Sequence, residues 1–270
     1  MNPHLQRLES VVNRREKIAM LTCYDATFAK LMELAGVDML LVGDSLGMVL
    51  QGAENTLQVT LEQMIYHVKC VAAGAPSTLI LADMPVNTYE FGGALALENA
   101  QMLIDAGAHM VKFEGGGKLV ETAYYLVEHG IPVCAHLGFT PQSVEKIGGY
   151  KIQGKTPESA QEILQDAQAM KDAGASLVLL EMVPAALAKQ VTAIMPTIGI
   201  GAGVDCSGQV LVLQDLLGIY NGPANKAPKD YKAPRFAKNF LTETNCVQQA
   251  VINYVKSVKN QSFPLLEHSY

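Results

Sequence analysis

The sequence predicts an α/β chain folded as a single (β/α)8 TIM barrel over residues 1–270, and three observations carry that expectation. A helix-turn-strand phrase recurs along the chain, eight short apolar runs alternate with helical segments, and the first run leads into Cys23-Tyr24-Asp25 with no glycine-rich turn. A doubly wound open sheet usually carries such a turn after its first strand and needs a reversal of strand order.

The recurring phrase reads Ala35-Gly36-Val37-Asp38-Met39, Ala106-Gly107-Ala108-His109-Met110 and Ala173-Gly174-Ala175-Ser176-Leu177. In each, a glycine closes a helix and a nearly continuous apolar run follows, as suits a parallel strand covered on both faces. Positions 36, 107 and 174 are 71 and 67 residues apart, each about two βα units, so the repeat points to alternation throughout.

In chain order, the expected strands are Ile18 to Thr22, Met39 to Gly43, Thr78 to Ala82, Met110 to Phe113, Val133 to Ala135, Leu177 to Leu180, Thr197 to Ile200 and Val210 to Leu213. Between them, Thr60-Leu61-Glu62-Gln63 reads as a capping box and Thr156-Pro157-Glu158 as a cap with proline in the first turn. Ile163, Ala167, Met170 and Ala173 repeat at helical spacing. Two stretches exceed a minimal barrel. Residues from about 140 to 157, with Gly148-Gly149-Tyr150 and Gly154, form an extra loop placed to act as a lid. Residues 221–237, with Pro223, Pro228 and Pro234 among lysines, read as an extended surface segment before a final helix from about Phe240 to Val258.

Composition narrows the function. Twenty basic residues against 26 acidic ones give a net charge of −6 and no basic footprint for nucleic acid. Residues are 49% hydrophobic and 17% charged, enough apolar surface to bury a core. No apolar run approaches the roughly 18 residues of a spanning helix. Residues 1–17 mix charges of both signs and lack the apolar core of a secretory signal. Cys23, Cys70, Cys134, Cys206 and Cys246 are scattered, with no Cys-x-x-Cys pair, which predicts reduced thiols in a cytoplasmic protein.

In a barrel, polar residues just after the apolar runs share one mouth. Here these are Asp44 and Ser45, Asp83, Lys112 with Glu114, His136, and Glu181. Four carboxylates in one mouth require a cation or protons to compensate them. A hard divalent ion such as Mg²⁺ at Asp44, Asp83 and Glu114 is the simplest compensation; helix capping is the plainer role for any one of them. Lys112 and Glu114 are two apart and share a face of their strand, where the lysine can hold an anionic substrate or pair with a carboxylate. Glu181 leaves a greasy strand, and desolvation there suits a general base, or else a salt-bridged helix cap. His136 reads either as a satisfied structural histidine or as a substrate contact. Gly199-Ile200-Gly201-Ala202-Gly203 fits tight packing or close substrate approach better than a dinucleotide loop, because Val204 breaks the glycine spacing.

The chain resembles the ketopantoate hydroxymethyltransferase family over nearly its whole length. The resemblance is carried by Thr22-Cys23-Tyr24-Asp25, Val42-Gly43-Asp44-Ser45-Leu46-Gly47, Ala82-Asp83-Met84-Pro85, Lys112-Phe113-Glu114-Gly115-Gly116, Ala135-His136-Leu137-Gly138 with Thr140-Pro141-Gln142, the glycine-rich segment at 199–203, and the tail Phe263-Pro264 with Glu267-His268-Ser269-Tyr270. It implies transfer of a one-carbon unit from 5,10-methylenetetrahydrofolate to 3-methyl-2-oxobutanoate, giving 2-dehydropantoate and tetrahydrofolate. It also implies Mg²⁺ at Asp44 and Asp83, with Glu114 completing the site directly or through water, oxo-acid contacts at Ser45 and Lys112 beside the metal-binding Asp44 and Asp83, and Glu181 as the base. Homo-oligomeric assembly, as a decameric ring, is implied by the resemblance alone. An alternative is a Mg²⁺-dependent oxo-acid lyase or mutase of the phosphoenolpyruvate mutase and isocitrate lyase type, although no Lys-Cys-Gly-His segment surrounds Cys134. A non-catalytic receptor built on the same mouth would be expected to lose the carboxylates, and all four are present.

Overall fold

A computed structural model describes residues 3–225, 227 and 231–270. Helix α1 (Pro3–Asn13) precedes β1 (Ile18–Thr22), and the chain then runs through α2 (Ala26–Leu34), β2 (Met39–Val42), a one-turn α3 (Leu46–Val49) and α4 (Leu61–Gly74). Next come β3 (Leu79–Asp83), α5 (Gly93–Asp105), β4 (Met110–Glu114), α6 (Leu119–Glu128), β5 (Val133–Gly138) and a short α7 (Val144–Ile147). The remainder is α8 (Pro157–Asp172), β6 (Leu177–Glu181), α9 (Ala185–Ile194), β7 (Thr197–Ile200), β8 (Gly208–Leu211), α10 (Leu213–Leu216) and α11 (Val247–Lys259).

The eight strands pair in parallel in sequence order and β8 returns to β1, closing the barrel. Strand residues are buried nearly throughout, as their continuous apolar runs require. Local chemistry sets the helix ends. Thr60 forms the expected capping box with Gln63, and Thr156, expected as a simple cap before Pro157, forms one as well, with Ser159. Gly36 and Gly174 close α2 and α8 at φ of +83° and +87°, where an L side chain would be strained.

Helix α1 lies across the end of the barrel at which the strands begin. Its Leu8 and Val11 are buried, and Leu5 and Val12 share a cleft with Ile131 and Pro196, just ahead of β5 and β7. The opposite end, where the strands finish, is the mouth. Helix α11 is pinned to the wall by the buried Tyr254 hydroxyl, which donates to the carbonyls of Met20 and Gln209 at 2.9 Å each.

Several boundaries differ from expectation: β5 runs on to Gly138 instead of ending at Ala135, β3, β4 and β6 each run one residue further, to Asp83, Glu114 and Glu181, and β2 ends one residue early at Val42. Strand β8 starts at Gly208, two residues early, because Gly208 packs against Ile18 where a side chain would collide. The polar Gln209 is buried there and donates to the Gly203 carbonyl, so polarity at 209 does not end the strand. The final helix begins at Val247 instead of Phe240, since the Leu241 N–H donates to the Asn239 side chain and Leu241–Glu243 form a separate 3-10 turn. The proline-rich segment is more than surface. Pro223, Tyr231, Pro234 and the buried Phe236 line a chamber over the mouth, whereas Pro228 falls outside the described residues. Residues 140–157 contain a 3-10 turn at Pro141–Ser143 and α7, and Tyr150 rests on Phe139 with ring centroids 5.0 Å apart. Among the described residues, no helix is long and apolar enough to cross a membrane.

Candidate active site

Parallel pairing places the polar residues side by side. Asp83 at the end of β3 is in register with Lys112 on β4, and Glu114, two residues further on, is in register with His136 on β5. Alternation along β4 sends Lys112 and Glu114 inward together. With Asp44 and Ser45 just beyond β2 and Glu181 ending β6, they line one chamber of about 140 Å³. Every candidate drawn from the sequence is therefore in the same cavity, His136 included.

Lys112 lies at the centre. Its Nζ is 3.0 Å from Asp83 Oδ1 and 3.3 Å from His136 Nδ1, with 3% of the side chain exposed. Asp83 Oδ2 accepts from the Asp44 N–H at 3.1 Å. Glu114 Oε2 accepts from the Gln142 N–H at 2.8 Å, and its Oε1 lies 3.4 Å from His136 Nδ1. The far ring nitrogen, His136 Nε2, is 3.5 Å from Glu181 Oε2. Glu181 is the most open of these groups, with 14% of its side chain exposed. Ser45 Oγ sits 2.9 Å from the Tyr24 hydroxyl.

Burial and charge set the protonation states. Desolvation, reinforced by Asp83 and Glu114, holds the Asp44 carboxyl well above the usual carboxylate range. Desolvation pushes Glu114 up to about 7, although Lys112 and the Gln142 N–H oppose it. Burial alone would depress Lys112, yet Asp83, Glu114 and Asp44 outweigh it and keep the ammonium firmly protonated. Desolvation and the neighbouring Lys112 lower His136, so its ring is neutral. Lys112 can donate only to an unprotonated Nδ1, which assigns the proton to Nε2, on the side of Glu181. Desolvation raises Glu181, with His136 pulling the other way.

The donor set suits a hard cation. Asp83 Oδ1 and Glu114 Oε1 are buried without a hydrogen bond, and the ion-pair distance from Lys112 to Asp83 lacks hydrogen-bonding geometry. Among the described residues, no group of three or more His, Cys, Asp and Glu side chains is placed to hold a metal ion. Mg²⁺ needs only one or two carboxylates, with water and substrate completing its shell. The five cysteines are free, and burial pushes Cys134 up to about 12, far from a reactive thiolate.

One member of the site was named in the sequence only as part of the segment Thr140-Pro141-Gln142 and was given no role there. Gln142, in the 3-10 turn after β5, donates through Nε2 to Asp44 Oδ2 at 2.8 Å and to the Met84 carbonyl at 3.0 Å. Its Oε1 accepts from the Tyr89 hydroxyl, and its backbone N–H binds Glu114, so a single residue orients two of the carboxylates. A glutamine within a loop carries no periodic signal; only its membership of the Thr140-Pro141-Gln142 segment pointed to the site. The glycine-rich segment serves packing, since a Cβ on Gly201 would meet the rings of Tyr270 and Phe236 at 2.9 and 3.1 Å.

The chain is similar to proteins of one known family. The family described as ketopantoate hydroxymethyltransferase matches residues 3–265. A 3-methyl-2-oxobutanoate hydroxymethyltransferase of Nitrosospira multiformis is 55% identical over 257 residues, covering 94% of each chain. One from Thiobacillus denitrificans is 52% identical and covers 98% of each chain. Among solved structures, a 2,3-dimethylmalate lyase of the PEP mutase/isocitrate lyase superfamily superposes with a TM-score of 0.59 at 18% identity, covering 78% of this chain and 79% of that one, a likeness of fold.

Proposed function

The chain belongs to the ketopantoate hydroxymethyltransferase family, and from that premise we propose how its mouth carries out hydroxymethyl transfer to 3-methyl-2-oxobutanoate. The observation that carries the reading is the buried lysine among three carboxylates, with Glu181 on the open side of the same chamber. The reaction joins 3-methyl-2-oxobutanoate, 5,10-methylenetetrahydrofolate and water, and yields 2-dehydropantoate and tetrahydrofolate.

Asp44 and Asp83 would hold Mg²⁺, with Glu114 binding it directly or through water. When bound, that ion supplies positive charge to the carboxylate and keto oxygens of the oxo acid. Lys112 faces the same oxygens and adds a fixed positive charge that strengthens as negative charge develops during enolisation. Ser45, oriented by the Tyr24 hydroxyl, offers a hydrogen bond to the substrate carboxylate. Glu181 takes the C3 proton onto a carboxylate oxygen, and its raised proton affinity suits that task. The Nε2–H of neutral His136 faces Glu181 Oε2 and orients it. The C3 carbon of the enolate then attacks the folate-borne methylene group; one carbon-nitrogen bond to the folate breaks as the carbon-carbon bond forms, the second breaks as water supplies the hydroxyl, and the proton taken from C3 and one from water go to the two folate nitrogens.

The family premise also brings homo-oligomeric assembly as a decameric ring and a cytoplasmic setting into the proposal; the five free cysteines suit a reducing compartment. The test is isotopic. With ¹³C in the donor methylene, Mg²⁺ and 3-methyl-2-oxobutanoate, the label is expected in the hydroxymethyl carbon of 2-dehydropantoate. Turnover of the oxo acid by cleavage without uptake of label would instead favour the lyase reading.

A further inference from the structure

A second chamber, of about 460 Å³, opens beside the carboxylate chamber and shares Ser45, Tyr150, Glu181 and Phe236 with it. The size is that of a site for a drug-sized organic ligand. Several aromatic rings stand in its walls. Tyr150 arrives from the loop after β5, Tyr220 follows α10, and Tyr231 and Phe236 come from the proline-rich segment. Tyr220 and Tyr231 stand edge to face with ring centroids 5.1 Å apart.

Within this lining are two carboxylates that the oxo-acid chemistry does not use, Asp215 and Glu54, and Glu54 already accepts from the Asn225 side-chain amide. Asp215 lies on α10, and among the described residues its hydrogen bond is from the Tyr231 hydroxyl, at 3.4 Å. Partial burial pushes its carboxyl up to about 6, against the pull of the Tyr231 hydroxyl. The Tyr220 hydroxyl is also buried with no hydrogen-bond partner among the described residues. A carboxylate and an idle phenol in an aromatic slot call for a flat ligand with an edge of N–H donors. Exposed Lys232 sits on the same lining and is suited to an anionic tail.

We infer that this chamber receives the folate donor, with the pterin ring against Tyr220 and Tyr231, its 2-amino and N3–H edge paired to Asp215, and the glutamate tail toward Lys232. The inference rests on the hydroxymethyltransferase reading above and deepens it. A pterin presents two parallel N–H donors, and a carboxylate accepts both in the bidentate manner that gives geometric specificity. Because Glu181 borders both chambers, a donor seated here has its one-carbon group on the side from which the substrate proton leaves.

The test measures tetrahydrofolate binding by titration calorimetry with the full-length protein, beside C3 deuterium exchange of 3-methyl-2-oxobutanoate with Mg²⁺ and no folate. Asp215→Asn keeps the shape but removes the charge and one acceptor. It is expected to weaken tetrahydrofolate roughly ten- to a hundredfold, and to raise KM for the methylene donor in step, while exchange continues. Lys232→Glu changes an exposed side chain and is expected to weaken tetrahydrofolate triglutamate more than the monoglutamate. Wild-type affinity for both folates in both variants overturns the inference. Failure of exchange in the unmodified protein would strike the proposed function instead, so the two failures are separable.

Discussion

Replacing Lys112 by methionine isolates the electrostatics on which the site depends. Methionine retains most of the apolar stem and removes only the charge. In the intact protein Lys112 Nζ lies 3.0 Å from Asp83 Oδ1 with 3% of its side chain exposed. At that separation and an effective dielectric of about 20, the attraction is about 5–6 kcal/mol before desolvation is subtracted. Removing one partner of a buried pair typically costs about 3–5 kcal/mol, because the other charge is left uncompensated. We expect Lys112→Met to lose that much stability at pH 8 with chelator present, and Tm to fall by roughly 6–20 °C. The chain has no tryptophan, so urea and thermal unfolding are best followed by far-UV circular dichroism. The pH dependence gives a second check. Asp44 and Glu114 already have raised folded-state pKa values, and losing the lysine raises them further. Such groups bind more protons folded than unfolded, so the penalty is largest at alkaline pH and shrinks as pH falls toward 5. A Lys112→Met protein within 1 kcal/mol of wild type at pH 8 would refute the idea that its ammonium compensates a crowd of carboxylates.

Three further outcomes can be checked independently. Gln142→Ala removes the donor that fixes Asp44 Oδ2, and the Mg²⁺ concentration for half-maximal activity should rise roughly ten- to a hundredfold; an unchanged titration would show that Asp44 needs no positioning. Gly74→Ala would place a Cβ 2.2 Å from the Ala26 carbonyl oxygen, so α2 and α4 must separate, with an expected loss of about 1–3 kcal/mol on chemical unfolding and no change if the helices have slack. Burial lowers His109 to about 4, and its Nδ1 accepts from the Ile80 N–H. The folded state therefore binds fewer protons than the unfolded chain between about pH 6.5 and 4, and stability should fall as pH drops through that window. His109→Asn keeps an acceptor without the titration and should flatten that part of the acid limb; an identical limb would remove His109 as its cause.

The barrel was legible because parallel strands covered on both faces leave continuous apolar runs, and the helices between them carry caps at Thr60 and Thr156. The carboxylate chamber at the mouth was legible for a related reason. Asp44, Asp83, Lys112, Glu114, His136 and Glu181 each lie at or just beyond the end of such a run, where the fold directs them inward. What escaped depends on contacts distant in sequence. Gln142 acquires its role only when a turn after β5 meets residues near β2 and β4. Gly208 and Gln209 look like loop until the close approach of Ile18 and the acceptor at Gly203 are known. The second chamber combines α10 with Tyr231 and Phe236 of a segment whose prolines and lysines suggested solvent.

Proton removal at C3 is the step on which the whole account turns, and it can be observed without any folate. With the protein, Mg²⁺ and 3-methyl-2-oxobutanoate in deuterium oxide, NMR should show loss of the C3–H signal that depends on the metal. Glu181→Gln should slow it by about 10² to 10⁴. Exchange at an undiminished rate in Glu181→Gln, or none in the unmodified protein with Mg²⁺ present, would contradict the assignment of Glu181 as the base of an enolising site.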